Sequence, residues 1–212
     1  MECKQYFQNN RNTFRNSLSF VCSRIFQERD FVANLIDTLN ISPSTINVGF
    51  TVYSSDIEHH TPLTPFRPKI VLKAMAKSVQ RPTGIATNTA RGIAKIRETF
   101  RAQPRERANA PKIMIVITDG SSENPAETID QARIAKSEGI RIIAVGVGNN
   151  IFEEELLQIA SNQQKYYKTP NFNTLKNIES DIRQMICSGK RSYKIKTLNS
   201  LLKFNKNVQT CL

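Results

Sequence analysis

Asp119 is the residue whose placement most invites chemistry. It ends the unbroken apolar run Lys112-Ile-Met-Ile-Val-Ile-Thr118 and is followed at once by Gly120. A continuous run of this kind reads as a strand buried on both faces, which requires a parallel sheet between helices. Ligands of such sheets bind beyond the carboxyl ends of the strands, so Asp119 is either a ligand there or a turn residue before Gly120. The other chemistry-bearing groups point nowhere in common. His59 and His60 are adjacent on a strand pattern and therefore face opposite ways, which keeps them from sharing a metal. Glu153-Glu154-Glu155 opens a helix, where acids favour the dipole. Gly146-Val-Gly148-Asn-Asn150 lacks the lysine and the spacing of a phosphate loop. No Ser/His/Asp or Cys/His arrangement is legible.

The elements that position Asp119 alternate between strand and helix. Phe31, Leu35, Ile36 and Leu39 form a helical stripe, and Ile46–Tyr53 is a strand rich in β-branched and aromatic residues. Residues 56–61 extend an antiparallel edge hairpin. Helices are expected over 68–79 and 87–100, then the strand 112–118. A helix over 125–137 is opened by Asn124 and Pro125 and closed by Gly139. The strand 140–147, a short helix 153–160, a short strand 165–168 and a closing helix 174–187 complete the order. That order is a doubly wound α/β sandwich, with a mostly parallel sheet and helices on both faces.

Composition sets the outer limits. The chain has 212 residues, 39% of them hydrophobic, enough for one core plus extensions. No apolar stretch is long enough for a spanning helix. The first ten residues are polar and lack a signal-peptide apolar core. The formal charge of +12 is concentrated in Lys190, Arg191, Lys194, Lys196, Lys203 and Lys206, with no acid among residues 189–212. A basic tail without stacking aromatics is ordinarily a solvated one, so no nucleic-acid partner and no membrane insertion are expected. Cys3, Cys22, Cys187 and Cys211 cluster at the chain ends without metal-ligand spacing, consistent either with end-stapling disulfides or with free thiols. Asn40-Ile41-Ser42 is a glycosylation sequon if the chain is secreted.

Several segments together resemble the von Willebrand factor type A domain, in the style of matrilins and collagen-like matrix proteins. They are Val48-Gly-Phe-Thr-Val-Tyr53-Ser54-Ser55, Gly84-Ile-Ala-Thr87-Asn88-Thr89-Ala90, Ile117-Thr118-Asp119-Gly120, Ile143-Ala-Val-Gly-Val-Gly148 and Ile186-Cys187. The resemblance covers about residues 25–188. It implies a Rossmann-like fold and a non-enzymatic, extracellular adhesion module. In that family a divalent cation at the sheet's rim bridges to an acidic side chain of a matrix or cell-surface partner. No small-molecule substrate is implied. The ion is held by an Asp-x-Ser-x-Ser triplet, a loop Thr and a later Asp, and Mg²⁺ or Mn²⁺ would be the ion of a complete site. By position Thr87 matches the loop Thr and Asp119 the later Asp. Thr87 is alternatively the N-cap of its helix.

The chain departs from the family at the triplet. Where it belongs, the residues are Ser17-Leu-Ser-Phe-Val21-Cys-Ser-Arg24-Ile-Phe-Gln27, with no Asp before Asp30. Ser23 is a weak leftover hydroxyl candidate. The first central strand is accordingly either replaced by Ser17–Cys22 or absent; absence would leave both neighbouring strands with unpaired backbone groups. The expected division is an atypical segment 1–23, the domain 24–188 and a basic tail 189–212. Thr87 and Asp119 alone are too few donors for a hard ion, so no bound cofactor is expected. Two alternatives stand beside adhesion. One is a truncated fragment, since residues 17–23 resemble a translated splice-acceptor tract. The other is a metal-dependent α/β hydrolase using Asp119.

Overall fold

The computed structural model describes residues 16–22, 28–80 and 83–188. Their strands are β1 (Asn16–Cys22), β2 (Ile46–Tyr53), β3 (Ile57–Thr61), β4 (Lys112–Thr118), β5 (Ile140–Val147) and β6 (Tyr166–Thr169). The helices are α1 (Glu28–Thr38), α2 (Lys69–Ser78), α3 (Thr89–Arg101), α4 (Pro125–Ser137), α5 (Glu153–Ile159) and α6 (Lys176–Ser188). One sheet holds all these strands in the order β3-β2-β1-β4-β5-β6. Every pairing is parallel except the β2–β3 hairpin. This is the doubly wound α/β sandwich expected from the alternation of patterns.

The open question about the first strand has a definite answer. Ser17–Cys22 is the strand at the centre, with Leu18 opposite Val48 on one side and Ile113 on the other. Its sequence is an unusual one for that position. Leu18 and Cys22 enter the apolar cluster on one face, whereas Ser17 and Ser19 are fully buried facing the other. Ser17 is satisfied by Gln103 just beyond α3. Ser19 Oγ has no hydrogen-bond partner among the described residues. Such a hydroxyl is costly in a core. The strand persists because β2 and β4 would otherwise each expose a row of backbone donors and acceptors.

β4 shows why a continuous apolar run was needed. Ile113, Ile115 and Ile117 belong to the apolar cluster that α1, α2 and α6 also enter, while Met114 and Val116 belong to the one that α3, α4 and α5 enter. Both faces of the strand are dry, and successive side chains point to opposite faces. Asn124 caps α4 as expected, its side chain accepting from the Glu127 N–H, and Gly139 closes the helix at φ +77°. Element ends shift by one or two residues from expectation: β6 runs 166–169, and Thr174 lies in a 3₁₀ turn ahead of α6. Cys22 is buried at the end of β1. Cys3, Cys211 and the basic tail lie outside the described residues.

Candidate functional site at the rim of the sheet

The carboxyl ends of β2, β1, β4 and β5 lie along one rim, and two loops built there carry the expected site residues. The first loop, residues 83–88, is pinned to the ends of β2 and β3. The Gly84 N–H donates to Glu58 Oε1 at 3.1 Å, the Ala86 N–H to Ser55 Oγ at 3.2 Å, and the Asn88 N–H to the Ser54 carbonyl at 2.8 Å. Ser54 also donates its hydroxyl to Glu58. That hydroxyl, then the backbone N–H groups of Gly84 and Thr83, hold the Glu58 carboxyl below the usual carboxylate range. The loop hugs β2 so closely that a Cβ on Gly84 would sit 2.1 Å from Ser54 Oγ. Glycine is therefore a steric requirement here.

The second loop follows β4. Thr118 turns its hydroxyl onto the Gly120 carbonyl at 3.0 Å, which sets Asp119 in a tight, half-buried turn. Two residues on, Ser122 is seized by α5. Its N–H donates to Glu155 Oε2 at 3.2 Å, and its hydroxyl donates to Glu155 Oε1. Glu155 is only 2% exposed. The opening acids of α5 were expected merely to favour the helix dipole, and for Glu155 that account is incomplete. Its neighbour Glu153 is exposed and pairs with Lys168 at 3.1 Å, but Glu155 points inward as a clamp. The available signal was that Glu155 lies four residues before the buried Ile159, on the same helix face.

The two loops are joined to each other. The Glu123 N–H donates to the Thr87 carbonyl at 2.9 Å, so the Thr87 and Asp119 segments form one connected rim. Thr87 is not the N-cap of α3. Asn88 holds that role, its side chain accepting from the Arg91 N–H at 3.0 Å. The Thr87 hydroxyl makes no hydrogen bond to a described residue. Between the two loops, where the resemblance requires a triplet carboxylate, β1 ends on Cys22, paired with Val52 and Ile117. Ser23 lies outside the described residues. Among the described residues no group of three or more His, Cys, Asp or Glu is placed to hold a metal ion.

The histidines stand apart from this rim's centre. His59 stacks on Phe50 with ring centroids 5.4 Å apart, and His60 faces the other way, 2.8 Å from Thr51 Oγ1 and 3.3 Å from Thr99 Oγ1. Burial pushes both below the usual histidine pKa. They sit on β3, three strands from β4, a separation of about 14 Å at the usual strand spacing. Neither histidine can serve as a base for Asp119 at that distance. Gly148, with φ +89°, donates its N–H to the Thr169 carbonyl at 2.8 Å, which uses the donor a phosphate cradle would need. One further rim residue went unremarked in the sequence: Ile85, at the tip of the pinned loop, is 87% exposed.

With this geometry in view, the family model described as "von Willebrand factor type A domain" matches residues 16–181. Matrilin-1 of Mus musculus is 34% identical over 187 residues, covering 87% of this chain and 36% of that protein. The collagen alpha-4(VI) chain of Mus musculus is 28% identical over 160 residues, 76% of this chain and 7% of the relative. Both relatives are extracellular matrix proteins, and the chain spans about a third or less of their length. Among solved structures, proximal thread matrix protein 1 from the mussel byssus, "with zinc occupied MIDAS motif", superposes with a TM-score of 0.72 at 20% identity. It covers 88% of this chain and 47% of that one. The pilus adhesin SpaC of Lactobacillus rhamnosus GG superposes at 0.68 with 15% identity, over 84% of this chain and 30% of that one. At such identities the two structures speak for the fold.

Proposed function

The chain belongs to the von Willebrand factor type A domain family, and we propose that it is a non-enzymatic protein-binding module of extracellular-matrix type that docks its partner on the rim of the sheet. The observation that carries this reading is the cross-linked rim itself. The loop between α2 and α3 and the loop after β4 are tied together through Glu123 and Thr87, and the first presents a large apolar side chain, Ile85, to solvent. Binding surfaces on loops held by a rigid scaffold are the usual arrangement for recognition. An apolar residue on a pre-ordered loop loses little conformational freedom when it is covered.

The unit assigned to this role runs from β1 through α6, and so includes the central strand at 16–22 rather than beginning at residue 24. Its setting is that of its relatives, outside the cell, and no described helix is long and apolar enough to cross a membrane.

Among the described residues the donor set does not suit a hard cation. Mg²⁺ takes about six oxygens in near-octahedral array, and the described rim offers Asp119 and the Thr87 hydroxyl, with Cys22 where a carboxylate would be required. We infer that this rim works without a resident ion. An acidic partner side chain needs a cation between itself and Asp119, because two carboxylates in direct contact repel. The contact therefore falls to Ile85 and to the polar rim around it.

The test is a solid-phase binding assay of the full chain against purified matrix proteins, with Mg²⁺, with Mn²⁺ and with EDTA. Saturable binding that survives EDTA and drops on Ile85→Asp or Asp119→Ala is the expected result. Binding that requires Mn²⁺ overturns the ion-free reading, and binding indifferent to both substitutions overturns the rim.

A further inference from the structure

Between Glu58 and Glu98 the chain contains no Asp or Glu. Helix α2 lies within this acid-free stretch and shows an unusual outer face. Leu72 and Ala76 turn inward and are buried, at 0% and 2% exposure, in the cluster shared with α1. On the opposite face Ile70 is 78% exposed and Val71 42%, with exposed Ala74 one turn further on. Single exposed apolar residues are commonplace. Here two large ones adjoin a small one at the spacing of a helix stripe, and the margin is basic.

That margin consists of Arg67 just before the helix, then Lys69, Lys73 and Lys77 along it. The acid that faces it is Asp37 on α1. Lys73 pairs with the Asp37 carboxylate at 2.8 Å, and Lys69 donates to the Asp37 carbonyl at 2.7 Å. The Lys73 hydrogen bond holds the Asp37 carboxyl below its usual range. One carboxylate among four cations leaves the strip positive.

We propose that the outer face of α2 is a docking surface for an acidic amphipathic polypeptide segment. The segment's apolar side covers Ile70, Val71 and Ala74, and its carboxylates meet Lys77, Lys69 and Arg67. Charge complementarity selects this occupant. A second copy of the chain docking α2 on α2 brings the same cations face to face. A sulfated polysaccharide satisfies the lysines and leaves Ile70 and Val71 in water. The surface is distinct from the rim, since α2 turns Leu72 and Ala76 into the cluster it shares with α1 and presents Ile70 and Val71 outward, whereas the rim residues lie on the loops at the strand ends.

The probes are a fluorescent helical peptide with Leu at i, i+3, i+4 and i+7 and Glu elsewhere, its Lys-for-Glu counterpart, and a heparin oligosaccharide. Each is titrated into the full chain by anisotropy. The Glu peptide is expected to bind, the Lys peptide not. Ile70→Gln combined with Val71→Gln, and separately Lys77→Glu, are each expected to weaken binding at least about fivefold. All three positions are exposed, so thermal midpoints stay in place; Asp119→Ala leaves the affinity unchanged. Any of four results overturns the proposal: equal binding of both peptides, no loss in the Gln variants, binding by heparin alone, or self-association in sedimentation that the Gln variants abolish.

Discussion

Glu155 accepts both the backbone N–H and the hydroxyl of Ser122, and the pair is buried between the loop that follows β4 and helix α5. The loop bearing Asp119 is thereby fixed at its far end by a carboxylate from a helix thirty-three residues on. Charge-assisted hydrogen bonds of this kind are about twice as strong as neutral ones. Glu155→Ala leaves two donors of Ser122 without a partner in a dry setting. Unfolding in urea should show a loss of about 2–3 kcal/mol. A loss below about 0.5 kcal/mol would mean that water or a neighbour replaces the clamp.

Gly84 tests the other loop. Alanine there drives a Cβ into Ser54, whose hydroxyl already bonds Glu58. The loop must lift, and the Ala86 and Asn88 amides lose their partners on Ser55 and Ser54. Hydrogen exchange at these two amides should quicken by at least about tenfold in Gly84→Ala, while the amides of β4 keep their protection. Unchanged exchange would show that the loop accommodates the methyl without opening.

Ser19 offers a change in the opposite direction. Its hydroxyl is fully buried in the central strand with no partner among the described residues. Ser19→Ala removes a desolvated polar atom and little volume. The variant should be more stable by about 1 kcal/mol in chemical denaturation. Ser17→Ala, which forfeits the bond to Gln103, should not share the gain. Destabilisation of both to the same degree would point to an ordered water serving Ser19.

Two pH windows follow from buried partners. Arg97, 9% exposed, donates to Glu138 through Nε at 3.1 Å and through a terminal nitrogen at 2.6 Å. The Arg97 hydrogen bonds foremost, with Arg101 adding to them, hold the Glu138 carboxyl below its ordinary value of 4.5. A depressed carboxylate contributes stability above its unfolded pKa and loses it as pH falls through the folded one. Glu138→Gln should therefore flatten the decline of the melting midpoint below about pH 4.5. His60 acts in a higher window. Burial lowers its pKa below 6.5, so folding favours the neutral ring and stability falls as pH drops below that value. His60→Gln should remove that part of the slope while leaving the acidic part. Slopes identical to wild type in both variants would sink the assignment.

The candidate site was partly legible. Asp119 could be placed because a run of apolar residues that ends on an acid has one natural location in a parallel sheet. Thr87 could be placed on a rim loop, but the alternative reading of it as a helix cap fails, since Asn88 next to it is an equally good cap and only backbone geometry distinguishes them. Glu155 was hidden for a different reason. Three consecutive acids at a helix start look alike in sequence, and it takes the packed loop from β4 to make one of them a buried acceptor. Ile85 was passed over because exposure of a loop residue has no periodic signature.

The chain by itself determined the alternation of strands and helices and the two-sided burial of β4 and β5, because side-chain periodicity and apolar runs are local properties. It also determined the place of Asp119 at a strand end. Tertiary structure alone decided that Ser17–Cys22, polar on one face, is the central strand. Its backbone groups are what β2 and β4 need on their facing edges, and that demand outweighs the cost of two buried serines. The same long-range packing decided that Thr87 and Asp119 share a rim, joined through Glu123, for no local pattern links residues so far apart in the chain.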